Sequence, residues 1–140
     1  MVQLLSNPLS NPYFATAAYF AVTALSMVVF LIVFELVTRY RVWEEVKKGN
    51  VAVAMATGGK VFGVANIFRF SIEQHDSIGQ ALIWGAFGYL LLLISYFIFE
   101  FMTPGFQVDQ EIERGNAAVG LLAMVISIGF SYVIGASLTS

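Results

Sequence analysis

Three ionisable residues stand inside long apolar stretches of the sequence and are the first candidates for chemistry: Glu35, Lys60 and Glu100. Glu35 and Glu100 occupy matching places, each about one turn inside the end of its stretch. Lys60 lies ten residues past Asn50, or about 15 Å along a helix at about 1.5 Å per residue. That depth is near the middle of a bilayer, where an ammonium cannot easily snorkel to water. A buried lysine wants a carboxylate, so Glu35 or Glu100 is the expected partner, through helix tilt, side-chain reach or a bridging water. Such a set has two uses. It can lock helix packing as a structural ion pair, or it can form a polar path for ions, protons or a small anion. The structural use is preferred, because only one lysine and two shallow carboxylates are present and the broken helices of transporters are not evident.

Other chemistry is sparse. His75 lies with Glu73 and Asp76, but the sequence has no second histidine and no cysteine, so a solvated loop is expected there rather than a metal site. Gly58-Gly59-Lys60 lacks both the spacing of a phosphate-binding loop and the strand before it. No Ser-His-Asp set is present either. The sequence therefore predicts no catalytic residues, no cofactor and no enzyme. Absent cysteine also removes disulfide and thiolate chemistry. A net charge of −2 offers no basic field for nucleic acid.

The elements that must position these residues follow from composition. Hydrophobic residues make up 59% of the 140-residue chain and charged residues 11%, against about 25% charged in a soluble domain. The length suits a single domain, 1–140. Four apolar stretches, about Tyr13–Val37, Val51–Ile72, Ala81–Met102 and Ala117–Leu138, each approach the roughly 20 residues that cross about 30 Å of hydrocarbon as a helix. Strand-like alternation is missing, which argues against a β-barrel. Asn11 is placed to cap the first helix, with Pro12 at its first position. That helix has no preceding Lys or Arg and is too long for a secretory signal, so it is expected to be retained.

The cations set the expected orientation. Arg39, Arg41, Lys47 and Lys48 lie between the first and second stretches, and Arg114 between the third and fourth. Arg69 alone lies on the opposite side. Positive loops stay in the cytoplasm. The prediction is an all-α, multi-pass protein of a bacterial-type inner membrane with both termini outside.

The chain also echoes itself. Phe34-Glu35-Leu36-Val37-Thr38 returns as Phe99-Glu100-Phe101-Met102-Thr103, and Glu45 to Val53 returns as Glu111 to Val119. Each unit holds two crossings, so the copies, about 13–72 and 81–138, make two parallel-repeated helical hairpins. In both, Gly49-Asn50 and Gly115-Asn116 are placed to end one helical segment and cap the next. Val42 to Lys48 has apolar residues four apart, as in a short interfacial helix with Trp43 at headgroup depth. Lys60 has no counterpart; its place in the second copy is taken by Ile126.

Small residues form stripes. Ala52, Ala56, Gly59 and Gly63 recur on the second helix, Gly120, Ser127, Ser131 and Gly135 on the fourth. In lipid such stripes let helix backbones approach. Ala17, Ala21 and Ala24 share the face of Glu35. Packing within the bundle is the first expectation, and self-association into a homo-oligomer the second.

The paired corners and the motifs around them resemble the bacterial inner-membrane family called domain of unknown function 350. The residues that carry the resemblance are Lys47-Lys48-Gly49-Asn50 with Ala52 and Ala54, Gly58-Gly59-Lys60 through Gly63, and Glu111-Ile112-x-Arg114-Gly115-Asn116 with Ala117 and Ala118. The resemblance implies a four-helix membrane protein of duplicated origin, with genes often placed beside envelope-stress proteins. It supplies no activity and no catalytic residues. Two functions remain in view. One is a non-enzymatic component of the membrane, oligomeric or bound to a membrane-protein partner, in envelope maintenance, with Arg39 to Asn50 and Gln107 to Asn116 as its docking rim. The other is a small channel or transporter with a polar path at Lys60, Glu35 and Glu100.

Overall fold

The structure, a computed structural model, describes residues 10–75, 77–102, 105 and 107–138, with Met102 described by its backbone alone. Among the described residues six α-helices follow one another: α1 (Pro12–Val37), α2 (Val42–Lys47), α3 (Val51–Gln74), α4 (Ile78–Met102), α5 (Val108–Glu113) and α6 (Ala117–Ser137). Among the described residues α1, α3, α4 and α6 are long and apolar enough to cross a membrane. The boundaries follow local chemistry. Asn11 accepts from the Tyr13 N–H at 3.0 Å, with Pro12 at the first helical position. α4 begins three residues before the expected Ala81 because Ser77 accepts from the Gln80 N–H at 3.1 Å through its hydroxyl and from the Ala81 N–H at 2.9 Å through its carbonyl.

The two short helices turn into the long ones by the same construction. Gly49 and Gly115 have φ of 84° and 87°, the left-handed region. The Gly49 N–H donates to the Val46 carbonyl at 2.9 Å and the Asn50 N–H to the Glu45 carbonyl at 3.0 Å; Gly115 and Asn116 repeat this with Ile112 and Glu111 at 3.0 and 2.9 Å. These bonds close the short helix as a Schellman motif. Asn50 and Asn116 then cap α3 and α6 by accepting from the Val53 and Val119 N–H groups. Their side-chain amides donate back to Glu45 at 3.3 Å and Glu111 at 3.1 Å. Because a Cβ in the left-handed region costs about 1–2 kcal/mol, Gly49→Ala and Gly115→Ala should each lower unfolding free energy by that amount. Thermal unfolding in detergent checks this, and the asparagine variants should lose less.

α3 is the central helix: 56% of its apolar window is buried, against 6% for α1. It runs parallel to α6, since Ala52 meets Gly120, Gly59 meets Met124, Gly63 meets Ser127, and Asn66 donates to Ser131 at 3.0 Å. A Cβ on Gly59 would come within 2.6 Å of the Met124 Cα, and one on Gly120 within 2.6 Å of the Ala52 carbonyl oxygen. α4 closes the other side, with Gly85 and Gly88 against Phe68 and Ile67. α1 is held to α4 by stacking of Phe30 on Tyr89, centroids 4.3 Å apart, and by the Tyr89 hydroxyl donating to the Phe30 carbonyl at 2.9 Å. The outward residues Phe20, Leu25 and Leu36 stay exposed, as suits helices whose solvent is hydrocarbon.

Candidate functional site

Two apolar clusters are stacked along the bundle. One, around Val53, Val108 and Ile112, lies beneath the corners; the other, around Val64, Ile67 and Tyr89, fills the middle. Between them α3 carries Lys60, on the same buried face as Ala56, Gly63, Val64 and Ile67, at 6% exposure. Its ammonium does not sit at mid-bundle. It reaches the C-cap of α1, donating to the Thr38 hydroxyl at 3.1 Å. It also lies 4.6 Å from the centre of the Tyr96 ring and 5.4 Å from that of Phe34, contacts worth about 0.5–2 kcal/mol.

The ion pair expected for Lys60 is not formed. Among the described residues no carboxylate oxygen comes within 4.0 Å of its ammonium. Glu35 is turned outward and exposed. Glu100 is buried on α4, but its Oε2 accepts from the Asp109 N–H at 3.0 Å. That bond satisfies a donor in the first turn of α5, where a carboxylate is also favoured by the helix dipole.

The carboxylate that completes the cluster is Asp109, 2% exposed. Its Oδ1 accepts from the Tyr96 hydroxyl at 2.6 Å and its Oδ2 from the Arg39 N–H at 3.3 Å, while the Arg39 guanidinium donates to Gln107 at 3.0 Å. Tyr96 is the link, presenting its ring face to the cation and its hydroxyl to the anion. The buried charges thus compensate one another across an aromatic ring rather than by contact, and four elements, α1, α3, α4 and α5, meet there. Beside them Tyr40 is buried, its hydroxyl without a hydrogen-bond partner among the described residues. Burial pushes its phenol pKa well up, and the charges of Asp109, Glu100 and Glu113 push in the same direction.

A cavity of about 20 Å3 adjoins Lys60, Ser95, Tyr96 and Ser127, room for a single water. Ile126, the counterpart of Lys60, lines it too. A larger open groove of about 350 Å3 runs between α1 and α3 past Glu35, Thr38, Thr57 and Lys60.

The other sequence candidates fall in three places. Gly49, Asn50, Gly115 and Asn116 form the corners, and Asn50 alone crosses between them, donating to the Glu113 and Ile112 carbonyls at 2.8 and 3.2 Å. Ala52, Ala56, Gly59 and Gly63 are buried on α3, whereas Ala17 and Ala21 face outward on α1. His75 is not in a solvated loop. It is buried at the C-cap of α3, stacked on Trp84 at 5.4 Å, and its Nδ1 lies 2.8 Å from the Ser71 carbonyl. Since a carbonyl oxygen only accepts, Nδ1 carries the proton. Asp76 lies outside the described residues. Gly58 to Lys60 is helix interior, not a loop.

Sequence reasoning missed Asp109, Tyr96 and Thr38. A signal for Asp109 was present. It falls on the face of Val108 and Ile112, the apolar face of α5, and it aligns with Trp43 where Glu45 to Val53 is echoed by Glu111 to Val119.

A family model for the Domain of Unknown Function (DUF350) matches residues 6–138. The chain is also similar to the UPF0719 transmembrane protein YshE of Bacillus subtilis (strain 168), with 57% identity over 128 residues that cover 91% of this chain and 96% of that protein. No solved structure matches the chain.

Proposed function

The chain belongs to the Domain of Unknown Function (DUF350) family, and from that premise we propose that it is a non-enzymatic anchor in the bacterial inner membrane, whose helical corners form a cytosolic docking rim. The observation that carries this reading is the closed polar cluster. Lys60, Thr38, Tyr96, Asp109 and Glu100 direct their polar atoms at one another and at the first turn of α5, and the adjoining cavity has room for one water. Such a cluster fixes the rim to the bundle. Above it, Arg41, Lys47, Lys48, Glu44, Glu113 and Arg114 are exposed, a mixed-sign surface suited to electrostatic recognition of a partner. Five of the seven Lys and Arg residues, Arg39, Arg41, Lys47, Lys48 and Arg114, lie at this end, which supports a cytosolic rim and outward termini.

The competing reading, a channel or transporter, draws on the groove that both Glu35 and Lys60 line. Flux in liposomes separates the two. The full-length protein is expected to pass potassium, sodium, protons and phosphate no faster than protein-free vesicles. Extracted gently from its own membranes, it is expected to migrate in a complex larger than itself. The triple variant Lys47→Gln, Lys48→Gln, Arg114→Gln should release it from that complex at the small cost of two exposed ion pairs, Lys48 with Glu45 and Arg114 with Glu111, about 0–1 kcal/mol each. Measurable flux that Lys60→Met abolishes with folding intact would establish the channel instead.

A further inference from the structure

The groove between α1 and α3 holds three polar groups whose bonding capacity is not fully used among the described residues. The Lys60 ammonium has three donors and gives one to Thr38. The Thr57 hydroxyl is buried with no hydrogen-bond partner, and Glu35 makes no side-chain hydrogen bond or ion pair among the described residues. Their placement is ordered. Glu35 and Thr38 are three apart on α1, and Thr57 and Lys60 three apart on α3, so each pair shares a helix face. Both pairs line the one groove, and its remaining walls, among them Leu31, Ile32 and Val61, are apolar.

Depth selects the occupant. α1 has 26 residues, about 39 Å at about 1.5 Å per residue. That exceeds the roughly 30 Å hydrocarbon core and approaches the roughly 40–45 Å of a bilayer with its headgroups. The C-cap Thr38, and with it the Lys60 ammonium, therefore lies at headgroup level, while the apolar wall descends among the acyl chains. The site offers a cation and a hydroxyl for an anion, a carboxylate for a cation, and an apolar trough for a chain. Its volume of about 350 Å3 is at the small end of ligand sites. With Lys60 only 6% exposed, the polar end is open to a slender amphiphile and closed to a flat helix surface.

We infer that the groove is a binding site for one glycerophospholipid with an amine-bearing headgroup, its phosphate on Lys60 and Thr57, its ammonium on Glu35 and one acyl chain along Leu31 and Val61. Held so, the lipid joins the peripheral α1 to the central α3. This assignment is independent of whether the protein conducts, since liposome flux and lipid retention are separate readouts.

Native mass spectrometry of the full-length protein, released into gentle detergent from vesicles of equal phosphatidylethanolamine and phosphatidylglycerol, tests it. The expected result is one phosphatidylethanolamine retained per chain, several-fold preferred over phosphatidylglycerol. Glu35→Gln should bring that preference close to parity, and Thr57→Val should lower retention of both lipids. Neither residue belongs to the closed polar cluster, so in lipid-free detergent both variants should melt like the parent; Lys60→Met should lose retention in whatever fraction folds. Equal retention of the two lipids, or a preference unchanged in Glu35→Gln together with a retention unchanged in Thr57→Val, would reduce the occupant to annular lipid and overturn the assignment. So would a dimer that buries the groove and carries no lipid.

Discussion

Asp109→Ala is expected to lower the free energy of unfolding by about 3–5 kcal/mol, the range for removing one partner from a buried, hydrogen-bonded charge set. The carboxylate is 2% exposed and answers two donors, the Tyr96 hydroxyl and the Arg39 N–H. Without it the Tyr96 hydroxyl is left buried and unpaired, and the field of Lys60 loses its nearest balance through the ring. Asp109→Asn keeps the shape and one acceptor, so it should lose less, about 1–3 kcal/mol. Glu44, exposed beside Arg41, supplies the contrast: Glu44→Ala should cost about 0–1 kcal/mol. Unfolding of the three variants in mixed micelles measures the differences. An Asp109→Ala loss no larger than that of Glu44→Ala would show the cluster to be incidental.

Gly59→Ala should destabilise by at least about 1–3 kcal/mol, the cost of overpacking a filled interior, while Gly58→Ala is neutral or slightly stabilising. The two glycines are neighbours in sequence and opposite in surroundings. A Cβ at 59 would meet the Met124 backbone at 2.6 Å, and one at 58 meets nothing within 4 Å. Backbone cannot rotate aside as a flexible side chain can, so α3 and α6 would have to separate. In lipid no hydrophobic drive between helices restores them, and association rests on that close approach. Gly120→Ala, whose Cβ would strike the Ala52 backbone, and Gly129→Ala, which has open space, repeat the contrast on α6. Melting temperatures of the four variants are the readout; equal losses at 58 and 59 would contradict the packing described.

Whatever depends on neighbouring residues could be read from the sequence. Helix ends at Asn11-Pro12, Gly49-Asn50 and Gly115-Asn116 follow from capping and left-handed glycine, and they fall at those residues. The four spans follow from length and hydropathy and lie within about three residues of the elements found, a scatter usual at helix ends. The polar cluster was only half legible. Lys60 and Glu100 announce themselves because a charge inside an apolar run is costly. Asp109 is harder to see: it stands in the acid-rich stretch Gln107 to Arg114, and its place beside the apolar Val108 and Ile112 is the one local sign that α5 turns it inward. Counting residues along α3 likewise placed Lys60 near mid-membrane. It overlooked that α1 ends low enough for Thr38 to draw the ammonium back. Local sequence leaves His75 solvated beyond the helix end, because the stacking of Trp84 that buries it is a tertiary contact that the local sequence cannot express.

A double-mutant cycle of Lys60→Met and Asp109→Asn, followed by unfolding in mixed micelles, asks most directly whether the buried charges hold one another. A coupling above about 1 kcal/mol, with the double variant losing less than the sum of its singles, is expected for groups joined through one aromatic ring. Losses that add within about 0.5 kcal/mol would mean that Lys60 and Asp109 are independent, and that no lock lies beneath the corners.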